Sequence, residues 1–289
     1  ARLPEPEPRP KPALVVRERP EPTDARAPVL TATDVRVRFG GIVAVDGVDL
    51  ELRRGEVVGL IGTNGAGKST LLNAIGGYVP ATGRIEVHGR DVSRLPAHKR
   101  ARAGLGRTFQ AATLFPELTV LESVLVAMEA RRRTGFVANA LALPHAGRAE
   151  RASRAEARDL IDLLGLGSYA ESTIGTLSTG TRRIVELGGL LALDTRVLCL
   201  DEPTAGVAQR ESEAFGPLIL AIREQLDASV LVIEHDMPLI MSLSDRVYCL
   251  DTGRVIAEGT PDEVRDDPAV IASYLGTDER AINRSDLRP

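Results

Sequence analysis

Tryptophan is absent from these 289 residues, and aromatic side chains of every kind make up only 3%. Where the few are spent therefore matters. Cysteine is nearly missing too. Cys199 and Cys249 are the only two, each inside an apolar run, which predicts buried reduced thiols and a cytoplasmic setting. No stretch of 18 apolar residues occurs, so no membrane-spanning helix is expected. The N-terminus has no apolar h-region and so does not read as a secretory signal. It has no initiator Met either, which leaves processing, trimming or excision from a longer chain open. There is no basic excess. A net charge of −4 gives no global positive field and argues against nucleic acid as a partner. Lysine is scarce, with Lys11, Lys68 and Lys99 the only three among 36 basic residues.

What is present is a soluble, globular composition, with 43% hydrophobic and 26% charged residues. The length allows one large core or two modest ones. Residues 1–28 hold eight prolines, five of them alternating from Pro4 to Pro12. Such a stretch can neither pair in a sheet nor hold a helix, and predicts an extended, solvated, polyproline-like linker. Order is expected from about Leu30. Asp34 to Phe39 alternates as a strand, and Val43 to Leu52 reads as a second, broken by a hairpin signal at Asp46-Gly47. A short strand is expected over Gly83 to His88, so an antiparallel layer should flank whatever lies between.

What lies between is Gly62-Thr63-Asn64-Gly65-Ala66-Gly67-Lys68-Ser69-Thr70, which fits the P-loop pattern G-x-x-x-x-G-K-[ST]. The apolar run Val57 to Ile61 leads in as a buried strand. Leu71, Leu72 and Ile75 follow at helical spacing until Gly76-Gly77. The motif thus has the strand–loop–helix setting its chemistry requires. Glycines let successive backbone N–H groups turn inward around phosphate oxygens, and the helix N-terminus adds partial positive charge. Lys68 would reach the β- and γ-phosphates of a nucleotide such as ATP, and the Ser69 hydroxyl would ligate Mg2+.

Further along, Leu118, Leu121, Leu125 and Met128 recur on one helical face, and Ala149 to Leu164 reads as a second helix. Residues of about 112–176 are therefore expected to form an inserted helical lobe. Val197 to Leu200 and Val230 to Ile233 are continuously apolar, as strands covered on both faces of a parallel sheet are, with a crossover helix over 213–226. Val247 to Leu250 and Arg254 to Glu258 should pair around Asp251-Thr252-Gly253. A last helix runs to about Leu275, before a polar tail. Asp201-Glu202 stands at the C-terminal end of an apolar strand, where carboxylates face the ligand crevice of an open α/β sheet. Asp201 would hold the Mg2+ water shell, and Glu202 would orient and deprotonate an attacking water.

With Leu177-Ser178-Thr179-Gly180-Thr181 ahead of that pair, the chain resembles the ATP-binding-cassette (ABC) family, whose signature reads L-S-G-G-Q. Thr179 and Thr181 depart from it, while Ser178 and Gly180, the pair that faces phosphate in the family, are kept. Within the family the likeness is to ATPase subunits of branched-chain amino-acid importers. It is carried by Gly106-Arg107-Thr108-Phe109-Gln110, by Leu114 to Glu122, by Ile233-Glu234-His235-Asp236-Met237 and by Gly259-Thr260-Pro261. Asp267-Pro268, Val270-Ile271 and Tyr274-Leu275-Gly276 extend it to the C-terminus. The resemblance implies that Gln110 is a Q-loop glutamine reaching Mg2+ and the attacking water. It implies that His235 is the switch histidine at the γ-phosphate, and that Phe39 stacks on adenine. Thr63 stands where proline is usual, and Ala208 where many family members carry the D-loop Asp.

The implied fold is α/β: a P-loop NTPase core with a mostly parallel sheet, a flanking antiparallel β layer and an inserted helical subdomain, spanning 29–276 with a flexible tail at 277–289. The implied activity is ATP hydrolysis in a head-to-tail dimer, homo- or heteromeric. Each ATP would lie between one subunit's P-loop and the other's Ser178–Gly180. The partner would be a transmembrane permease at the cytoplasmic face of the plasma membrane. Phe109, Leu114, Phe115 and Pro116 cluster where the helical lobe begins, and they would either fill the joint between the lobes or form in part a groove for a short permease helix. Two other readings remain: a soluble ABC ATPase for DNA repair or translation, and a nucleotide-gated regulatory module. The former usually carries a long coiled coil, zinc cysteines or a second cassette, none of which is present. Lys68, Glu202 and His235 favour an enzyme over the latter.

Overall fold

The computed structural model describes residues 27–109, 114–131, 144–207 and 209–275. Most of the Pro-rich stretch (1–26), the tail from 276, Gln110 and Ala208 lie outside them.

Two sheets organise the chain. The first is antiparallel, in the order β2-β1-β4-β5, from β1 (Pro28–Phe39), β2 (Ile42–Arg53), β4 (Thr82–Val87) and β5 (Arg90–Asp91). The second runs β10-β9-β3-β8-β7-β6 and joins β3 (Val57–Gly62), β6 (Leu105–Arg107), β7 (Val197–Asp201), β8 (Ser229–Ile233), β9 (Arg246–Asp251) and β10 (Arg254–Gly259). Every pair in it is parallel except β9–β10. The continuous apolar runs have a direct cause. In β3, Val57 and Ile61 enter one core cluster while Val58 and Leu60 enter the other. In β8, Val230 and Val232 divide from Leu231 and Ile233 in the same way. A strand whose two faces are both buried has no position left for a polar residue.

The helices are α1 (Lys68–Gly76), α2 (Ala97–Arg102), α3 (Val120–Arg131), α4 (Pro144–Leu163), α5 (Thr179–Ala192), α6 (Gln209–Leu226), α7 (Met237–Leu243) and α8 (Pro261–Asp266). The antiparallel sheet, α1 and one face of the main sheet enclose one cluster. The helices α3 to α7 enclose the other against the opposite face.

Several expectations change in detail. The β1–β2 turn is Gly40-Gly41, with Phe39 opposite Ile42, and not Asp46-Gly47. Gly47 instead forms a bulge. Val35 pairs with Val48 and Arg36 with Asp46, and the extra residue takes φ 71°, which glycine adopts without a Cβ penalty. The buried face of α3 is Val120, Leu121, Val124 and Met128. Leu118 precedes the helix and Leu125 is only partly covered. The crossover helix starts at Gln209, four residues early. The last helix is two pieces: α8 opens on a Thr260–Glu263 capping box, and residues 268–275 are helical after a break at Asp267.

Both thiols are fully buried and unpaired with each other, and burial pushes each up to about 12. Neither should react with a thiol-specific dye at pH 8 in the folded protein, and both should react in denaturant. Prompt labelling of the native chain would contradict this packing.

Candidate functional site

The P-loop joins β3 to α1. Its three glycines adopt backbones that only glycine takes readily: φ is 142° at Gly62, 83° at Gly65 and 104° at Gly67. A Cβ on Gly67 would lie 2.4 Å from the Ala44 carbonyl, so the loop is pressed against β2. Gly67 is the N-cap of α1 and offers no side chain, and no acid occupies the first turn. The first N–H groups of the helix are thus left for an external anion. Lys68 is buried and folds back to donate from Nζ to the Gly62 carbonyl (2.6 Å) and the Thr63 carbonyl (3.1 Å). Burial lowers its pKa, and the charges of Glu202 and Asp201 oppose that shift.

Both carboxylates come from the end of β7, which closes on Asp201 with Glu202 directly after it. Ser69 Oγ donates to Asp201 Oδ1 at 3.1 Å. A hydroxyl beside a carboxylate is the hard oxygen set Mg2+ takes together with nucleotide phosphates. Among the described residues no group of three His, Cys, Asp or Glu forms a self-sufficient metal cage. Glu202, next in sequence, has left-handed backbone (φ 49°), a setting that costs a non-glycine residue about 1–2 kcal/mol. Its N–H donates to the Ile233 carbonyl at 3.0 Å, which ties the turn to β8. The result turns the carboxylate away from Asp201 toward the end of β8, where its Oε1 lies 2.7 Å from His235 Nε2. Two adjacent acids thus meet different partners: one beside the P-loop serine, the other beside a half-exposed imidazole.

Two family models match this chain: ABC transporter over residues 45–205, and branched-chain amino acid ATP-binding cassette transporter over 254–280. The high-affinity branched-chain amino acid transport ATP-binding protein BraF of Pseudomonas aeruginosa is 40% identical over 250 residues, covering 86% of this chain and 98% of its own length. The chain belongs to the ABC transporter family. LivG of Escherichia coli, a high-affinity branched-chain amino acid transport ATP-binding protein, is 38% identical over the same shares. A nucleotide-free ATP-binding cassette from an ABC transporter superposes with TM-score 0.73 at 29% identity, covering 86% of this chain and 99% of that one. The ADP conformation of the cassette MJ1267 does so with TM-score 0.73 at 28% identity. The cassette described here is an ATPase of that family.

The remaining predicted residues of this ABC cassette fall in three places. Phe39 ends β1 with half its surface exposed, beside Ile42 and Val43 on the turn. Ser178 caps α5. Its Oγ accepts from the Thr181 N–H at 3.1 Å and lies 2.9 Å from the Thr181 hydroxyl, so the substituted threonine is tied to the retained serine. Gly180 is buried within the chain, leaving Ser178 and Thr179 to face solvent. Gln110 cannot be placed, being outside the described residues.

Four contributors escaped the sequence reading. Arg107 is buried and donates from Nη2 to Asp201 Oδ2 at 3.2 Å, while its Nε and Nη1 have no hydrogen-bond partner. Its guanidinium lies over Tyr78 at 5.5 Å and Phe109 at 5.3 Å, two rings that meet edge to face. Glu234 accepts from the Thr204 N–H and hydroxyl, at 2.8 and 2.7 Å, and fixes the turn after Glu202. From α5, Arg183 donates to the Phe109 carbonyl at 2.6 Å and Glu186 accepts the Phe109 N–H at 3.3 Å. That pair clamps the residue that precedes Gln110. Burial raises the Glu186 pKa against the pull of these partners.

Proposed function

We propose that this chain is the ATP-hydrolysing subunit, or domain, of an importer of branched-chain amino acids. The observation that carries the catalytic part is the pairing of Glu202 with His235 at 2.7 Å beside the Ser69–Asp201 contact at 3.1 Å. In this reading the P-loop amides, Lys68 and the N-terminus of α1 cradle the phosphates, and Ser69 and Asp201 hold Mg2+. Gln110 completes that set from outside the described residues. Bound Mg2+ supplies neutralisation of phosphate charge. Glu202 takes a proton from the attacking water, and His235 orients Glu202 and faces the γ-phosphate. Phe39 provides a platform for adenine. The substrate class rests on likeness to BraF and LivG and on the C-terminal match over 254–280.

Ser178 and Thr179 are exposed at the start of α5, open to a second cassette, and we read the site as completed by one. ATP would then favour the closed pair and ADP the open one. No helix among the described residues is long and apolar enough to cross a membrane, so transport needs a separate permease or a separate segment. We place its contact at Phe115, on the cytoplasmic side. Leu114 packs into the core, and Phe109 joins Tyr78 and Arg107. Phe115 is 66% exposed. It stands on a braced support, because Gly175 N–H donates to the Pro116 carbonyl at 2.9 Å and Ile174 N–H to the Leu118 carbonyl at 2.9 Å. A short apolar helix of the permease would cover that ring.

Phe115→Asp is expected to abolish stimulation of ATPase by the membrane partner and to leave ATP binding by the isolated protein unchanged. Co-purification of tagged protein with its permease, followed by ATPase assay in detergent, measures this. Normal coupling by the folded variant would place the docking surface elsewhere.

A further inference from the structure

The P-loop is braced from behind by the C-terminal part of the chain. The turn between β9 and β10 touches it twice: Gly253 N–H donates to the Ala66 carbonyl at 2.9 Å, and its Cα would lie 3.5 Å from a Cβ on Gly67. A third contact comes from farther on. Tyr274, 212 residues away in sequence, accepts the Gly62 N–H on its hydroxyl at 3.0 Å. Gly62 is the residue whose carbonyl takes the shortest bond from Lys68 Nζ. One peptide residue is therefore held on its N–H by the C-terminal helix and on its C=O by the phosphate-binding lysine. It has little freedom otherwise, since a Cβ there would lie 2.2 Å from the Leu250 carbonyl of β9.

Tyr274 is itself fixed. Its ring packs against the helical-side core, and Val264 and Val270, before it in the chain, are buried in that core. The Asp267 carboxylate accepts from the Ala269 N–H at 2.7 Å and starts the helical turn that carries it. Ile271 and Leu275, on the same segment, are exposed. The hydroxyl is thus presented to Gly62 by a rigid mount.

We propose that Tyr274 is a positioning residue for nucleotide binding: its hydroxyl sets the Gly62 peptide, and so the seat of Lys68, before phosphate arrives. The segment matched by the branched-chain model over 254–280 thereby acts on the phosphate cradle that the wider family shares. This rests on the reading of the P-loop as the ATP site.

The test is Tyr274→Phe, which keeps the ring and removes one acceptor, compared with wild type and with Leu275→Ser as a control on the exposed side of the same segment. Calorimetric titration with ATP and with ADP, and thermal melting of each nucleotide-free protein, are measured together. Losing one hydrogen bond to a buried N–H predicts affinity for both nucleotides about 3- to 10-fold weaker in Tyr274→Phe. Leu275→Ser should bind as wild type does. Lower melting temperature with unchanged affinity would make Tyr274 a packing residue only and overturn the proposal. An equal loss in Leu275→Ser would overturn it as well, by assigning the effect to the helix as a whole. Failure of wild type to bind either nucleotide would instead defeat the ATP-site reading itself.

Discussion

Glu202→Gln should bind ATP with near wild-type affinity and hydrolyse it about 10²- to 10⁴-fold more slowly, the range for loss of a general base. The amide is isosteric with the carboxylate, so the left-handed turn at Glu202 and its bond to Ile233 are retained. What disappears is the ability to accept a proton. The 2.7 Å contact with His235 can persist as a hydrogen bond to the amide. Steady-state phosphate release and equilibrium nucleotide binding, on the same preparation, separate the two effects. Hydrolysis at the wild-type rate would remove Glu202 from the role of base. His235 would be the next group to test, because its Nε2 lies 2.7 Å from that carboxylate.

Lys68→Ala should weaken ATP binding by about 10- to 100-fold, since a hydrogen bond to a charged group contributes about 1.5–3 kcal/mol. The fold should survive. Lys68 makes its contacts to backbone carbonyls at the edge of the site, and the helix it opens is held by Leu71, Leu72 and Ile75 in the core. Fluorescent-nucleotide titration reads the affinity, and circular dichroism melting checks the fold. Retained affinity would mean that phosphate is held by backbone amides alone. The effect should exceed that of Tyr274→Phe, because the lysine contacts phosphate directly and the tyrosine acts only through Gly62.

The parts of this site that a local pattern can encode were legible in the sequence. The apolar run before Gly62 and the helical spacing after Lys68 both reflect burial, and burial fixes period. The acids at 201 and 202 stand at a strand end for the same reason. The Asp46-Gly47 hairpin failed because a bulge and a turn both call for a glycine at positive φ. The chain placed its turn at Gly40-Gly41 instead, where strand pairing could run the full length of β1. The buried face of α3 shifted to Val120 and Val124 because the helix packs on α4 and α5, a direction no single-helix pattern contains. Arg107, Glu234 and Tyr274 stood inside the motifs that carry the family likeness, but no local pattern gave any of them a role. Each works through a partner distant in sequence: Asp201 for Arg107, Thr204 for Glu234 and Gly62 for Tyr274. A buried arginine in β6 could only have been noticed as a charge where a strand should have none.

In the proposed reading the cassette carries two half-sites rather than one whole site, and the transport reading depends on this. Ser69 of its P-loop meets Asp201, and Glu202 meets His235, within the chain, while Ser178 is exposed. Light scattering of Glu202→Gln with and without saturating Mg2+ and ATP tests it most directly. The expected result is a mass near twice the 30.9 kDa of one chain with ATP, reverting to one chain with ADP. A protein that binds ATP at saturation and still scatters as a single chain would contradict it.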